Sequence, residues 1–312
     1  MKIAITGVLG NLGWKLTKYL STREVCTQII GLDIHDIDDK KAAELQEYVR
    51  ESGCRNPAQL SVIPCDLSDW HDDRWGSAIH EADVIIHFAA QNPFPGAFWE
   101  EARNSLDMTM NLAAAAEAGS SVHRFIFASS NHVMGRYKDS PLSDSLGPGE
   151  LTTDKEEGVG TIWQAGGEDF DSTSYAISKF AGESRCRSLA ARNDGRIQCI
   201  CIRIGWCQPG ENLPETLNAA GVPIQDNELE QTEATSTSMG DPTAWFRGMW
   251  LSNRDFVHLF ECAITAEDAS WPGDFIIVNG VSNNSGMKWS LTEAQRWLGY
   301  QPQDNVNNVS SI

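Results

Sequence analysis

Three glycines at a spacing of three, Gly7, Gly10 and Gly13, close a β-branched run from Ile3 to Thr6 and open a helical stretch from Trp14 to Leu20. In that setting the first glycine permits a sharp turn, the second lets an anion approach bare backbone, and the third lets the helix pack tightly. The helix then aims its free amides and positive dipole end at a pyrophosphate. Glycine spacing alone marks only turns and close packing; the strand before it and the helix after it carry the reading. Twenty residues past Gly13, the run Gln28-Ile-Ile-Gly-Leu-Asp33 reads as a second strand ending in a carboxylate. A dinucleotide offers its two ribose hydroxyls at such a place. Asp33 accepts hydrogen bonds from both and repels a 2′-phosphate, and no arginine follows it. The pattern predicts NAD rather than NADP.

The chain has 312 residues, enough for one large domain or one domain with a smaller lobe. Its 43 acidic and 24 basic residues give a formal charge of −19, which repels nucleic acid and anionic membrane. Such acidity fits either adaptation to high salt or a well-solvated surface. The eight cysteines form no CxxC pair, and Cys199 and Cys201 alternate within an apolar strand. They read as small buried hydrophobes, free thiols in a reducing compartment, and no metal site is expected. No signal segment precedes the first strand and no apolar run spans a bilayer, so a cytoplasmic protein without a membrane partner is expected.

Strand-like runs recur at Ile3 to Thr6, Gln28 to Leu32, Leu60 to Pro64, Val84 to Phe88, Arg124 to Ala128, Ile197 to Ile204 and Phe275 to Val278, most of them separated by helical stretches. That alternation predicts an α/β fold with a doubly wound parallel sheet. The stretch Asn104 to Ala118 has helical composition, and Ser290 with Glu293 reads as a capping box opening a helix through Leu298, stopped by Gly299. Residues 139–173 and 206–247 break the rhythm; rich in Gly, Pro, Ser, Thr and acids, they follow strands whose carboxyl ends face a ligand crevice. They read as lids, or as disordered or contact segments, the stretch TEATSTS near Thr235 among them. The domains expected are 1–205 for dinucleotide binding, 206–305 as a substrate-side insertion and small lobe with some elements returning to the core, and a frayed tail at 306–312.

Tyr175 and Lys179 lie four apart in a helical stretch, on one face. A tyrosine loses its proton near pH 7 to 8 only at a cost of about 3–4 kcal/mol. An ammonium about 4 Å away supplies about that much at an effective dielectric near 20, and a positive nicotinamide adds to it. Upstream, the strand RFIFAS runs into Ser129, Ser130, Asn131 and His132. Ser130 is placed to hold a substrate oxygen beside the tyrosine, with Asn131 and His132 against neighbouring hydroxyls; capping and turn formation are the alternatives for all three.

The combination TGVLGNLG, CDL at Cys65 to Leu67, HFAA at His87 to Ala90, SSNHVMG and YAISK resembles the extended short-chain dehydrogenase/reductase family, a Rossmann fold, over at least residues 1–210. More narrowly, SSNHVMG, CIRIGWC, WLSNRDFVHL and LGYQPQD are similar to the uronate dehydrogenases, which oxidise the anomeric hydroxyl of a hexuronic acid to a lactone with NAD. The resemblance implies a catalytic set of Ser130, Tyr175 and Lys179. It implies cofactor contacts at Gly7, Gly10, Asn11, Leu12, Gly13, Asp33, Asp66, Leu67, Ala89 and Asn104, besides Tyr175 and Lys179, and substrate contacts at Asn92, Ser130, Asn131 and His132. Where that group carries a serine after the RIG strand and an arginine shortly beyond, this chain has Trp206 and then a long insertion before Arg247. Arg247 either clamps a substrate carboxylate or sits on a solvated face, and the sugar is a uronate or another aldose.

A sugar-nucleotide epimerase or dehydratase shares the cofactor site and the Tyr-Lys pair. Asn131 and His132 replace the acidic pair of the dehydratases, and the last hundred or so residues leave little room for a nucleotide-binding lobe. A non-catalytic NAD-sensing regulator keeps the glycine loop but tends to lose the tyrosine, and both Tyr175 and Lys179 are present. The expected partner is a small sugar or sugar acid, with a homo-oligomeric state left open.

Overall fold

The computed structural model describes residues 1–91, 98–118, 121–165, 167–217 and 242–308. Seven apolar runs form seven parallel strands: β1 (Lys2–Thr6), β2 (Gln28–Asp33), β3 (Gln59–Pro64), β4 (Val84–His87), β5 (Arg124–Ser130), β8 (Gln198–Ile204) and β9 (Phe275–Gly280). Their spatial order is β3-β2-β1-β4-β5-β8-β9. These are the seven runs expected from the sequence, displaced at their ends by no more than two residues. The chain winds outward from β1 to β3, then crosses to β4 on the other side of β1. That reversal opens a crevice at the carboxyl ends of β1 and β4, where doubly wound sheets hold ligands.

Strand residues of alternating parity separate two cores. Ile3, Ile5, Ile86, Ile126, Ile200 and Ile202 pack in one cluster with Leu16 of α1 (Asn11–Leu20) and with Phe256 and Leu259 of α7 (Asn253–Thr265). Ala4, Ile85, Phe125, Phe127, Cys199 and Cys201 pack in the other, with Leu112 and Ala116 of α4 (Trp99–Ala118) and Cys186 and Leu189 of α5 (Thr173–Ala191). Both faces are covered, which is why β5 is buried from end to end. All eight cysteines are free. No helix among the described residues is long and apolar enough to cross a membrane.

The remaining helices are α2 (Asp39–Ser52), α3 (Gly76–Glu81), α6 (Pro242–Gly248) and α8 (Thr292–Leu298). Of the segment beyond residue 205, β9 extends the sheet, α7 packs on α1 and Tyr300 belongs to the main core. Three local expectations need correction. Residues 139–173 are not all irregular, because β6 (Ile162–Ala165) and β7 (Glu168–Asp171) pair as an antiparallel hairpin, with Trp163 stacked on Phe170 at 5.2 Å. The capping box at Ser290 does not form: Ser290 accepts from the Thr292 amide, while Glu293 reaches outward to the Thr153 amide. Gly299, at φ +69°, does end α8. The chain end is also anchored farther than expected, since Val306 is buried against Leu217 and Trp250 and its amide donates to Asn284 Oδ1. The TEATSTS stretch lies outside the described residues.

Candidate active site

A cleft of about 960 Å³ runs across the carboxyl ends of β1, β2, β4, β5 and β8. At one end stands the glycine loop. Gly7 has φ +63°, a conformation open to glycine, and its amide donates to Leu32 O across β2. A Cβ on Gly13 would lie 2.1 Å from Gly7 O, so only glycine lets α1 start this close to the loop. Gly10 caps α1 without any side-chain bond, leaving the first-turn amides to a ligand. Asp33, at the end of β2, is held from the loop side by the Leu9 amide at 2.9 Å and lines the cleft. Asn11 Nδ2 donates to Cys207 O, tying the start of α1 to the chain after β8.

Leu12, Asp66, Leu67, Ala89 and Asn104 line the same cleft. Asp66 accepts from the Ser68 amide and hydroxyl, the Ala89 amide donates to Thr6 Oγ1, and Asn104 Nδ2 donates to Gln91 Oε1. Behind them His87 is buried between Thr6 Oγ1 at 2.8 Å and Thr109 Oγ1 at 3.0 Å, and burial pushes its pKa down to about 3.

At the other end the groups are side chains. Ser130 ends β5, and its hydroxyl accepts from the His132 amide; Tyr175 of α5 lines the same cleft. Burial raises the Tyr175 hydroxyl above its ordinary pKa, and Ser130 works against that rise. Lys179 lies 5.7 Å from the centre of the Tyr175 ring and donates to Ala128 O at 2.8 Å. Burial lowers its pKa to about 8. In the protein alone the desolvation of Tyr175 outweighs the opposing help; the expectation of a phenolate counted on the lysine together with a positive nicotinamide. The frame beneath is rigid: Arg203 of β8 pairs with Glu183 of α5 through two bonds of 2.9 Å, and Glu183 accepts from Ser129, the neighbour of Ser130.

Asn131 and His132 also line the cleft. Asn131 Nδ2 donates to Ile204 O, which fixes the amide's orientation and leaves Oδ1 buried without a partner. His132 Nδ1 sits 2.8 Å from both Thr161 Oγ1 and Ser172 Oγ, and burial pushes its pKa down to about 4, so the ring is neutral. Trp206 lines the wall with Phe246, 5.9 Å away edge to face. Asn92 lies outside the described residues. Arg247 is a correction: its guanidinium donates to Pro214 O, Val306 O and Asn307 Oδ1, and it does not line the cleft. Backbone carbonyls of two turns take the donors that a substrate would have needed.

Sequence reasoning passed over Trp163, Asp171 and Ser172, which the hairpin and the chain after it bring to the cleft, and Phe246 from α6. The one signal was that 139–173 follows a strand whose end faces the crevice. Nothing in its composition singled out Trp163.

A glycine cradle that a Cβ would fill, an uncapped helix end and a strand-terminal carboxylate are what a dinucleotide requires. The sequence model of the NAD dependent epimerase/dehydratase family matches residues 3–271. The chain belongs to that family. NAD is accordingly its cofactor, and the absence of Lys or Arg beside Asp33 in the described lining agrees. Within the family's reach, the chain is 28% identical to the L-arabinose 1-dehydrogenase (NAD(P)(+)) of Haloferax volcanii over 309 residues, 99% of this chain and 98% of that one. It is 33% identical to the NAD-dependent glucose-6-phosphate dehydrogenase of the same organism over 235 residues, 73% and 71% of the two chains. Its fold is that of a mutated uronate dehydrogenase, with a TM-score of 0.63 at 22% identity over 98% of this chain and 82% of that one.

Proposed function

We propose that the protein is an NAD-dependent sugar dehydrogenase that oxidises the anomeric hydroxyl of a free aldose or sugar acid to the lactone. The observation that carries this reading is that Ser130, Tyr175 and Lys179, the last 5.7 Å from the tyrosine ring, line one cleft with the glycine cradle. The similarity to sugar dehydrogenases over nearly the whole chain supports it.

Gly7, Gly10 and Gly13 with the first turn of α1 would hold the pyrophosphate, Asp33 the adenosine ribose, and Asp66, Leu67, Ala89 and Asn104 the surrounding wall. Bound NAD supplies a two-electron acceptor for the hydride at C1. Ser130 holds the sugar O1 against the Tyr175 hydroxyl, and Tyr175 in its phenolate form takes the O1 proton as the carbonyl forms. Lys179, fixed by Ala128 O, keeps its positive charge beside the ring and favours the phenolate. Asn131 and His132 orient the neighbouring hydroxyls. The products are a lactone, NADH and one proton.

The test is NADH formation by the purified protein with NAD and a panel of free aldoses, uronates and sugar nucleotides. NADH with free sugars is the expected result. Turnover confined to sugar nucleotides, or NAD binding without any turnover, would overturn it.

A further inference from the structure

We propose that the sugar is uncharged: a neutral aldose whose C–H face lies against an aromatic wall, not a uronate or a sugar phosphate. The inference rests on the dehydrogenase reading and names its substrate class.

An anionic group taken into a cleft needs a cation or several N–H donors to replace its water. Among the described residues Lys179 is the one Lys or Arg lining this cleft, and it is committed to Ala128 O and the tyrosine. Arg247 is held by three acceptors outside the cleft. The residues beyond the description offer no substitute: 92–97, 119–120, 166, 218–241 and 309–312 contain no Lys, Arg or His at all, and 218–241 adds Asp226, Glu228, Glu230, Glu233 and Asp241. No stretch outside the described residues can therefore bring a Lys, Arg or His to the cleft.

What the substrate end does contain selects against negative charge. The Asp171 carboxylate lines it. Asn131 Oδ1 is a buried acceptor without a donor; a sugar hydroxyl satisfies it, whereas a carboxylate brings only more acceptors. The His132 ring has both the Thr161 and Ser172 hydroxyls on its Nδ1. The wall facing these groups is aromatic: Phe246 meets Trp163 at 5.4 Å and Trp206 at 5.9 Å, both edge to face, and all three rings line the cleft. Such a wall takes the C–H face of a sugar ring while the hydroxyl edge points to Asn131 and His132. A uronate would place its carboxylate among rings and acceptors.

Matched sugars that differ only at C6 isolate the charge. With NAD and the full chain, galactose and galacturonate, glucose and glucuronate, and glucose 6-phosphate are compared, with L-arabinose as a sugar lacking C6. The expected kcat/KM is at least about a hundredfold higher for a neutral sugar than for its uronate, the size of one lost charge-assisted contact or more. Trp163→Ala is expected to raise KM for the neutral sugar about tenfold with kcat and NAD affinity little changed. Should that variant fail to fold, calorimetric binding of the same sugars to the unmodified protein with NADH gives the same ranking. Equal or better use of a uronate or phosphate would overturn the proposal while leaving the dehydrogenase standing. NAD binding without oxidation of any free sugar would take down both.

Discussion

At the cofactor end of the cleft the ligand meets backbone: a loop held at Gly7, close packing at Gly13 and an uncapped helix start. At the substrate end it meets side chains gathered from β5, the β6–β7 hairpin, α5, the chain after β8 and α6. The pyrophosphate cradle of the first end lies within the first thirteen residues; the second end spans more than a hundred positions, from Ser130 to Phe246. A backbone cradle tolerates almost any sequence around its glycines but no added Cβ. A side-chain wall tolerates redrawing, and so the same fold serves different sugars.

The largest effect expected from separating the two ends is that of Tyr175→Phe. The ring still packs beside His132, at 5.9 Å, while the hydroxyl that takes the proton is gone. We expect kcat to fall by about 10²- to 10⁴-fold with the dissociation constant for NAD within about twofold of normal. Steady-state rates and a fluorescence titration with NADH check it. A parallel loss of NAD affinity would mean that the two ends are not separable at this residue.

Acid should strain both ends together, since each keeps a buried neutral histidine. His87 lies behind the cofactor wall with its pKa pushed down to about 3, and His132 lies in the substrate wall at about 4, against an ordinary value near 6.5. Below pH 6.5 the unfolded chain binds protons that the folded chain refuses. The stability is therefore full above pH 6.5 and is lost as pH falls toward 4, on the order of 3 kcal/mol by pH 5. Urea midpoints across that range measure it, and His132→Gln should flatten the slope by about one proton. An unchanged slope in that variant would show that His132 is charged when folded.

Gly13→Ala probes the cofactor end alone. Its Cβ would meet Gly7 O at 2.1 Å and Gly7 C and Val8 Cα at 2.8 Å, all backbone atoms that no rotamer change can clear. The loop has to move, and we expect NAD affinity to fall about a hundredfold, with a loss of about 1–3 kcal/mol in stability. Sugar binding to protein saturated with NADH should be nearly normal. Retained NAD affinity would show that the cradle is not where the pyrophosphate sits.

The same contrast explains what could be read in advance. The seven strands announced themselves because a sheet buried on both faces needs continuous apolar runs, and the cradle did because its requirement is local: glycines, a strand and a helix within twenty residues. Asn131 and His132 were visible because they directly follow a strand at its carboxyl end. Trp163 was not, since its place depends on a four-residue strand pairing with another, stacking on Phe170 and meeting Phe246 from 83 positions away. Its position after an insertion left Arg247 open between a substrate clamp and a solvated face. What settles it is the geometry of acceptors at Pro214 and Val306, which no local pattern encodes. Even the capping box failed for that reason, Glu293 finding the Thr153 amide in a distant segment.

Arg247→Ala should give the smallest effect and draws the edge of the substrate end. Its guanidinium joins α6 to the turn at Pro214 and to the chain end at Val306 and Asn307, with bonds of 3.1, 3.1 and 3.4 Å. Two of those acceptors are carbonyls, and removing the donor leaves them to water at a partly buried surface. A loss of about 1–2 kcal/mol in stability is expected, read as a lower thermal midpoint. Because the side chain does not line the cleft, KM for a neutral sugar and for its uronate should each stay within about twofold, and their ratio should not move. A selective rise in KM for the uronate of about tenfold or more would place a cation in the cleft after all, and the boundary between scaffold and substrate wall would have to be redrawn through α6.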